Sequence, residues 1–283
     1  MTTPYDEPRL AELLKRTDAI ADGESAADNI PTGFPTLDRL LGGGLRRGDL
    51  IVLGGDVGTG KSALALAIAL RAAEEGNAVT YLSGEMSPTR VKERLLAIEG
   101  RASIDSLRSG TVDEETRASL GAVALRKPQT LPVVRAMPHE GSDSLGAEAN
   151  RDPKPVLLVV DSLQHIHGSG APAVNNAQAV LALKEIAMRN HIAVLVTAHL
   201  PELPPDRDNL RPQLHDFGAV GAIKQLADVV LGLFREEIYH PVPGSEGAAE
   251  LAILKNRHGP TTYIDLYFYK QWLRFEDMVD PDR

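Results

Sequence analysis

Apolar residues along this chain gather into short aliphatic runs, and between them the apolar positions recur with helical spacing. Runs at 50–53, 78–82, 156–160, 192–198 and 229–234 are apolar nearly throughout, which marks buried strands. Helical spacing follows at 63–73, from Pro88 to about 98, at one or two places between 113 and 125, and over 177–189. A short helix through Leu41, a short strand at 131–135, a Gly-, Ser- and Asp-rich loop over 139–154 and a proline-rich loop over 203–214 complete the middle. Two closing strands, 250–255 and 261–268, flank Asn256-Arg257-His258-Gly259-Pro260. This alternation predicts an α/β fold, a doubly wound and mainly parallel sheet with a β-rich C-terminal end. Ahead of it, residues 7–20 place Leu10, Leu13, Leu14 and Ile20 near one helical face, and 21–29 are small and acidic. The expected organisation is an arm over 1–29 and one domain over 30–283, the arm helix docking either on a neighbouring subunit or on its own domain.

Composition narrows this picture. A chain of 283 residues with 43% hydrophobic and 24% charged content suits one large globular domain with a modest extension. No apolar run approaches the ~20 residues that span a bilayer, and the N-terminus lacks the basic and apolar regions of a signal peptide, so no membrane partner is expected and a cytoplasmic location is. There is no cysteine, so disulfides and thiolate metal sites are excluded. A net charge of −9 argues against a broad basic nucleic-acid surface, while leaving room for a local basic channel.

The candidate chemistry centres on Gly55-Asp56-Val57-Gly58-Thr59-Gly60-Lys61-Ser62, which fits G-x-x-x-x-G-K-[ST] at every fixed position. An aliphatic run precedes it and an alanine-leucine helix, opening with Ala63, follows. Strand, glycine loop and helix together predict a phosphate-binding loop. Glycines let backbone N–H groups turn inward onto phosphate oxygens, and the helix N-terminus adds its positive end. Lys61 is expected at the β- and γ-phosphates and Ser62 at Mg²⁺, so ATP and Mg²⁺ are the expected cofactors. The run 156–160 ends in Asp161. In a parallel sheet, ligands sit at the carboxyl ends of strands, so Asp161 falls beside the loop, positioned for the Mg²⁺ shell. The strand 192–198 delivers His199 to the same edge.

The segments TGFPTLDRLLGGGLRRGDLIVL, the phosphate loop, SGEMS, LLVVDSLQ, RPQLHDFGAVGAIKQLADVVLGLFREE and AILKNRHGPT resemble the RecA-like ATPase fold. Over residues 30 to about 275 they are similar to the C-terminal motor domain of DnaB-type replicative helicases. GGDVGTGKS, SGE and VVDSLQ are also similar to ATPases of the RadA and KaiC kinds. The resemblance implies that Glu85 is the carboxylate polarising the attacking water, against the plainer alternative of a helix N-terminal acid. It puts His199 where the family usually has a glutamine that senses the γ-phosphate; a purely structural histidine is the alternative. Lys255 and Arg257 match a basic pair that faces the next subunit's nucleotide, Arg257 as an arginine finger. Their bare pattern also suits a solvated pair on an edge strand. On this resemblance, the family's separate N-terminal domain, which carries primase contacts, is expected to have no counterpart in these residues.

One departure stands out. Where the family carries an Arg-Glu pair lining a channel for single-stranded DNA, this chain has Gly218 and Ala219; Gly221 keeps a backbone N–H, and Lys224 follows one turn later. Losing a cation at every copy of a channel position weakens single-stranded DNA binding. The resemblance therefore implies a Mg²⁺-dependent ATPase forming a homo-oligomeric ring, a hexamer, acting on single-stranded DNA as a helicase or translocase. The alternatives are a nucleotide-controlled assembly scaffold and a RadA- or KaiC-like ATPase without helicase activity. His165-Ile166-His167 is too few ligands for a metal site. Trp272 with Tyr263, Tyr267, Phe268 and Tyr269 is expected in the core, and the acidic tail 276–282 is expected to be solvated.

Overall fold

The computed structural model describes residues 28–125, 130–138, 142–166, 171–202, 207–241 and 243–278, with 10, 14, 15, 17 and 18 of the arm. In chain order the strands are β1 (Asn29–Ile30), β2 (Leu45–Arg46), β3 (Leu50–Gly55), β4 (Val79–Ser83), β5 (Val133–Ala136), β6 (Leu157–Asp161), β7 (Ala193–His199), β8 (Val229–Phe234), β9 (Ala248–Asn256), β10 (Thr262–Tyr269) and β11 (Arg274–Asp277). The α-helices are α1 (Pro35–Leu41), α2 (Lys61–Glu74), α3 (Pro88–Gly100), α4 (Ile104–Ser109), α5 (Glu114–Ala124), α6 (Ser142–Ala149), α7 (Pro172–Asn190) and α8 (Ala222–Leu226). Among the described residues nine strands form one sheet in the order β11-β10-β9-β8-β3-β7-β6-β4-β5. Strands β8 through β5 in that order are parallel, and β9, β10 and β11 add on antiparallel.

The central strands are aliphatic throughout because both their faces are covered. Ile51 and Leu53 of β3, and Leu157 and Val159 of β6, pack into the layer holding α2 and α3. Their neighbours Leu50, Val52, Leu158 and Val160 pack into the opposite layer with α6 and α7. Helix α2 is itself apolar nearly all round, with Leu64, Leu66, Ile68 and Leu70 all at 0–1% exposure. It is walled on its outer side by Phe34 and β11. There Arg71 donates to the carbonyls of Gly33 (2.7 Å) and Phe275 (2.8 Å), pairs with Glu276 at 2.9 Å, and lies over the Phe34 ring.

Three expectations are corrected, and one alternative falls. The stretch expected as a loop over 139–154 contains α6, because Leu145 and Ala149 bury at 1% and 0% exposure against α7. The acidic tail begins inside the fold: besides the Glu276 pair, the Asp277 carboxylate accepts the Thr36 N–H at 2.7 Å; residues 279–283 lie outside the described set. Of the aromatic cluster only Phe268 is core. Alternation along β10 turns Ile264, Leu266 and Phe268 to the α2 layer and the three tyrosines to the opposite face. Tyr263 is 54% exposed there, while Tyr269 stacks on a half-buried Trp272. Lastly, β9 lies between β8 and β10, so Lys255 and Arg257 are not an edge-strand pair. In the arm, the described residues are helical, and Leu10 and Leu14 are 81% and 65% exposed, so these two do not pack on the domain; Leu13 and Ile20 lie outside the described residues.

Candidate functional site

Four parallel strands deliver the expected residues to one edge of the sheet. The phosphate loop follows β3, Glu85 follows β4, Asp161 ends β6 and His199 ends β7. Their order, β3-β7-β6-β4, sets the carboxylates and the histidine side by side next to the loop. Glycine is required where the chain re-enters α2. Gly60 has φ 100°, and a Cβ there would come within 3.0 Å of the Phe275 ring. Gly55 is needed for space, since its Cβ would lie 2.7 Å from the Leu233 carbonyl.

Lys61 is 6% exposed and its ammonium donates to the Asp56 carbonyl at 2.8 Å. Burial lowers its pKa, opposed by the carboxylates of Glu85, Asp161 and Asp56. Asp161, 1% exposed, accepts Ser62 Oγ at 3.1 Å and Thr197 Oγ1 at 2.5 Å on one oxygen, and the Tyr81 hydroxyl at 2.7 Å on the other. Burial and the adjacent carboxylate push the Tyr81 pKa far up, so this phenol stays a donor. One hydroxyl and one carboxylate, both hard oxygen donors, suit a Mg²⁺ that completes its shell from phosphate and water. Among the described residues no three of His, Cys, Asp and Glu converge as a metal cage; His167 lies outside them.

Glu85 pairs with His199, whose Nε2 lies 2.6 Å from its Oε1. Ser162 Oγ donates to the same oxygen at 3.4 Å, and His165 Nδ1 stands 3.9 Å away. Burial raises the Glu85 pKa, but the His199 hydrogen bond and charge, with His165 and Lys61, outweigh it and hold the carboxyl below its ordinary value. The His199 backbone is fixed by Gln164, which accepts its N–H at 3.1 Å and donates to its carbonyl at 3.2 Å. A cavity of about 430 Å³ opens over these groups. Its walls include Lys61, Ser62, Glu85 and His199, and Phe268, expected only as core, and also Arg94, Arg235, Lys270 and Leu273, which the sequence did not single out. Arg235 was within reach of the strand-end rule, since it follows β8, the neighbour of β3.

Lys255 and Arg257 do not join this site. Because β9 runs antiparallel to β8, its end lies beside the beginning of β8, at the opposite edge of the sheet. Lys255 Nζ donates to the carbonyls of Lys224, Gln225 and Ala227, closing the C-terminal end of α8. Arg257 is 50% exposed, with Nε 3.3 Å from the buried Asp228 carboxylate. At the departure loop, Gly218, Ala219, Val220 and Gly221 all have positive φ, and Val220 is 73% exposed. The Gly221 N–H is used internally, donating to the Gly218 carbonyl at 3.0 Å, so it is not free for a phosphate.

A parallel sheet wound on both faces, with a phosphate loop after one central strand and carboxylates at its neighbours' ends, defines a RecA-like P-loop domain. The chain belongs to the DnaB-like helicase C-terminal domain family, whose model matches residues 29–277. It is similar to the replicative DNA helicase DnaB of Geobacillus stearothermophilus, 31% identical over 265 residues that cover 91% of this chain and 58% of that protein. Replicative DNA helicase DnaC of Bacillus subtilis (strain 168) matches at 30% identity, covering 88% of this chain and 56% of that one. The chain thus spans less than two thirds of the length of these relatives. In fold it is similar to a DnaB-like replicative helicase solved for its interactions with primase, with a TM-score of 0.82 at 21% identity over 97% of this chain and 68% of that one. Among the described residues, no helix is long and apolar enough to cross a membrane.

Proposed function

We propose that the chain is a Mg²⁺-dependent ATPase whose active sites are completed between subunits of a ring, a hexamer as the family resemblance implies, with movement along single-stranded DNA as its output. Residues 30–283 form the motor domain and 1–29 an arm. The observation that carries the reading is the convergence of Lys61, Ser62 and Glu85 on one cavity, with the buried Asp161 directly behind Ser62 at 3.1 Å.

In this reading the loop amides of Gly55 through Ser62, with Ala63, receive the α- and β-phosphates, and Lys61 leaves the Asp56 carbonyl for the β- and γ-phosphates. Ser62 and Asp161 would hold a Mg²⁺, which would supply charge neutralisation at the phosphates. Glu85 accepts the proton of the attacking water. Until then its carboxylate is occupied by His199; an incoming γ-phosphate competes for the imidazole N–H and frees Glu85 to orient water. Arg257, at the far edge of the sheet, serves a neighbouring copy's γ-phosphate. Its own loop is out of reach, which is why the reading needs a ring.

The family names of the relatives support helicase output. The loop at 218–221 favours a second reading, a nucleotide-controlled scaffold, since it offers an exposed valine and an internally bonded amide where the family offers a cation. ATP hydrolysis measured with and without single-stranded DNA, alongside a native mass, decides. Stimulation by DNA in an assembled species supports the motor; hydrolysis in an assembly indifferent to DNA supports the scaffold. Absence of both binding and hydrolysis of ATP refutes both.

A further inference from the structure

The phosphate loop carries a side chain its proposed ligand does not call for. Asp56 puts a carboxylate into a loop whose amides are to receive a triphosphate, and like charges a few ångströms apart repel. The structure shows how that charge is handled. Asp56 Oδ1 accepts the Val57 N–H at 2.7 Å, and Oδ2 accepts the Tyr239 hydroxyl at 2.9 Å, across 183 residues of sequence. Asp56 is not among the residues lining the 430 Å³ cavity, although Val57, Gly58 and Gly60 are.

Tyr239 is firmly placed. It follows the 3₁₀ turn Glu236–Ile238, and its ring stacks on Phe234 with centroids 5.4 Å apart and planes 10° from parallel. The same segment grips the loop at a second point, where Arg235 donates to the Gly58 carbonyl at 3.2 Å while paired with Glu237. Burial, then the hydrogen bond and charge of Asp56, raise the Tyr239 pKa, so its hydroxyl is a donor at any working pH. The backbone of Asp56 matters equally: its carbonyl accepts Lys61 Nζ at 2.8 Å, Thr59 Oγ1 at 2.8 Å and the Thr59 N–H at 3.3 Å. Whatever holds this one residue holds the loop.

We propose that Tyr239 is a positioning residue for nucleotide binding: its hydroxyl pins the Asp56 carboxylate outside the cavity, which keeps the loop's own negative charge off the phosphates and presets the backbone that receives them. The inference rests on the reading of this loop as a triphosphate site. It makes the connection between β8 and β9 a clasp on the phosphate loop, and it assigns Tyr239 an effect that scales with the ligand's phosphate charge.

The test is calorimetric titration of the full chain with ATP, ADP and adenosine in Mg²⁺. Tyr239→Phe keeps the stack on Phe234 and removes only the hydroxyl. It is expected to raise the ATP Kd about three- to tenfold, as loss of one charge-assisted hydrogen bond does, with a smaller effect for ADP and none for adenosine. D56N alone, which removes the charge and keeps the shape, sets the reference ATP Kd for the double variant. In the D56N background Tyr239→Phe is expected to change ATP binding by less than about twofold, since no anion then needs restraint. The proposal is overturned if Tyr239→Phe binds ATP like wild type, if its loss is equal for adenosine, or if the loss persists undiminished with D56N. Wild-type protein that binds no ATP would remove the underlying reading, and this inference with it.

Discussion

Replacing Arg257 by alanine tests whether the site is shared between subunits, and the structure sets what each outcome means. Arg257 lies next to Asp228, just before β8 begins, while the far end of β8 pairs with Gly55 of the phosphate loop. Six residues of strand at ~3.3 Å each put about 20 Å between the guanidinium's anchor and its own loop. Action within one chain is therefore excluded. Structurally the residue does little: it is half exposed, its Nε–Asp228 contact is 3.3 Å, and Asp228 keeps Lys184 at 2.6 Å. A contact of that kind is worth at most ~1 kcal/mol, which moves Tm by only about 2–4 °C in a chain of this size. An arginine finger, in contrast, supplies on the order of 10³ in rate, about 4 kcal/mol of barrier. The expected result is a fall in ATP turnover of about 10³-fold with Tm and native mass almost unchanged. Mixing decides the rest. Arg257→Ala subunits keep Lys61, and Lys61→Ala subunits keep Arg257, so a 1:1 mixture of two inactive proteins is expected to recover about a quarter of wild-type turnover, from interfaces pairing one of each in the right order. Normal turnover by Arg257→Ala in an intact assembly, or a mixture that assembles and stays inert, would refute the shared site.

Three further outcomes follow from the geometry. Glu85→Gln is expected to lower turnover at least ~10²-fold, as loss of a positioned base does, while ATP binding by titration stays within a few-fold; undiminished turnover would remove Glu85 from the reaction. Asp228→Ala leaves the buried Lys184 without its carboxylate and the Leu50 N–H without an acceptor, so thermal unfolding should show a loss of about 3–5 kcal/mol, partly recovered when Lys184→Met is added. Glu276 has its carboxyl held below the ordinary value of 4.5: burial raises it, but Arg274 and Arg71 outweigh that. A depressed folded-state pKa contributes stability above the unfolded value and loses it as pH falls through the folded one. The Tm difference between wild type and Glu276→Gln should therefore be steady from neutrality to about pH 5 and shrink below ~4.5; a gap that widened on acidification would contradict the pairing.

What the sequence alone determined about this protein is what local spacing and local composition carry. Aliphatic runs such as 157–160 become strands because a strand buried on both faces must be apolar at every position. The glycines and lysine of 55–62 are legible as a candidate phosphate loop because the turn demands glycine and a bound phosphate would call for the lysine. Asp161 could be placed because a parallel sheet sends each strand's end to the same edge. The tertiary structure alone decided which faces are covered and which distant residues meet. The tyrosines of β10 look like core by type, yet alternation turns them to the side away from α2. Helix α6 has a loop's composition and exists because Leu145 and Ala149 find α7. Lys255 and Arg257 face away from their own loop only because β9 turns antiparallel, and Tyr239 meets Asp56 only because β8 lies beside β3. Pairing and register between segments far apart in the chain cost entropy that no local pattern records, and they are settled when the layers close.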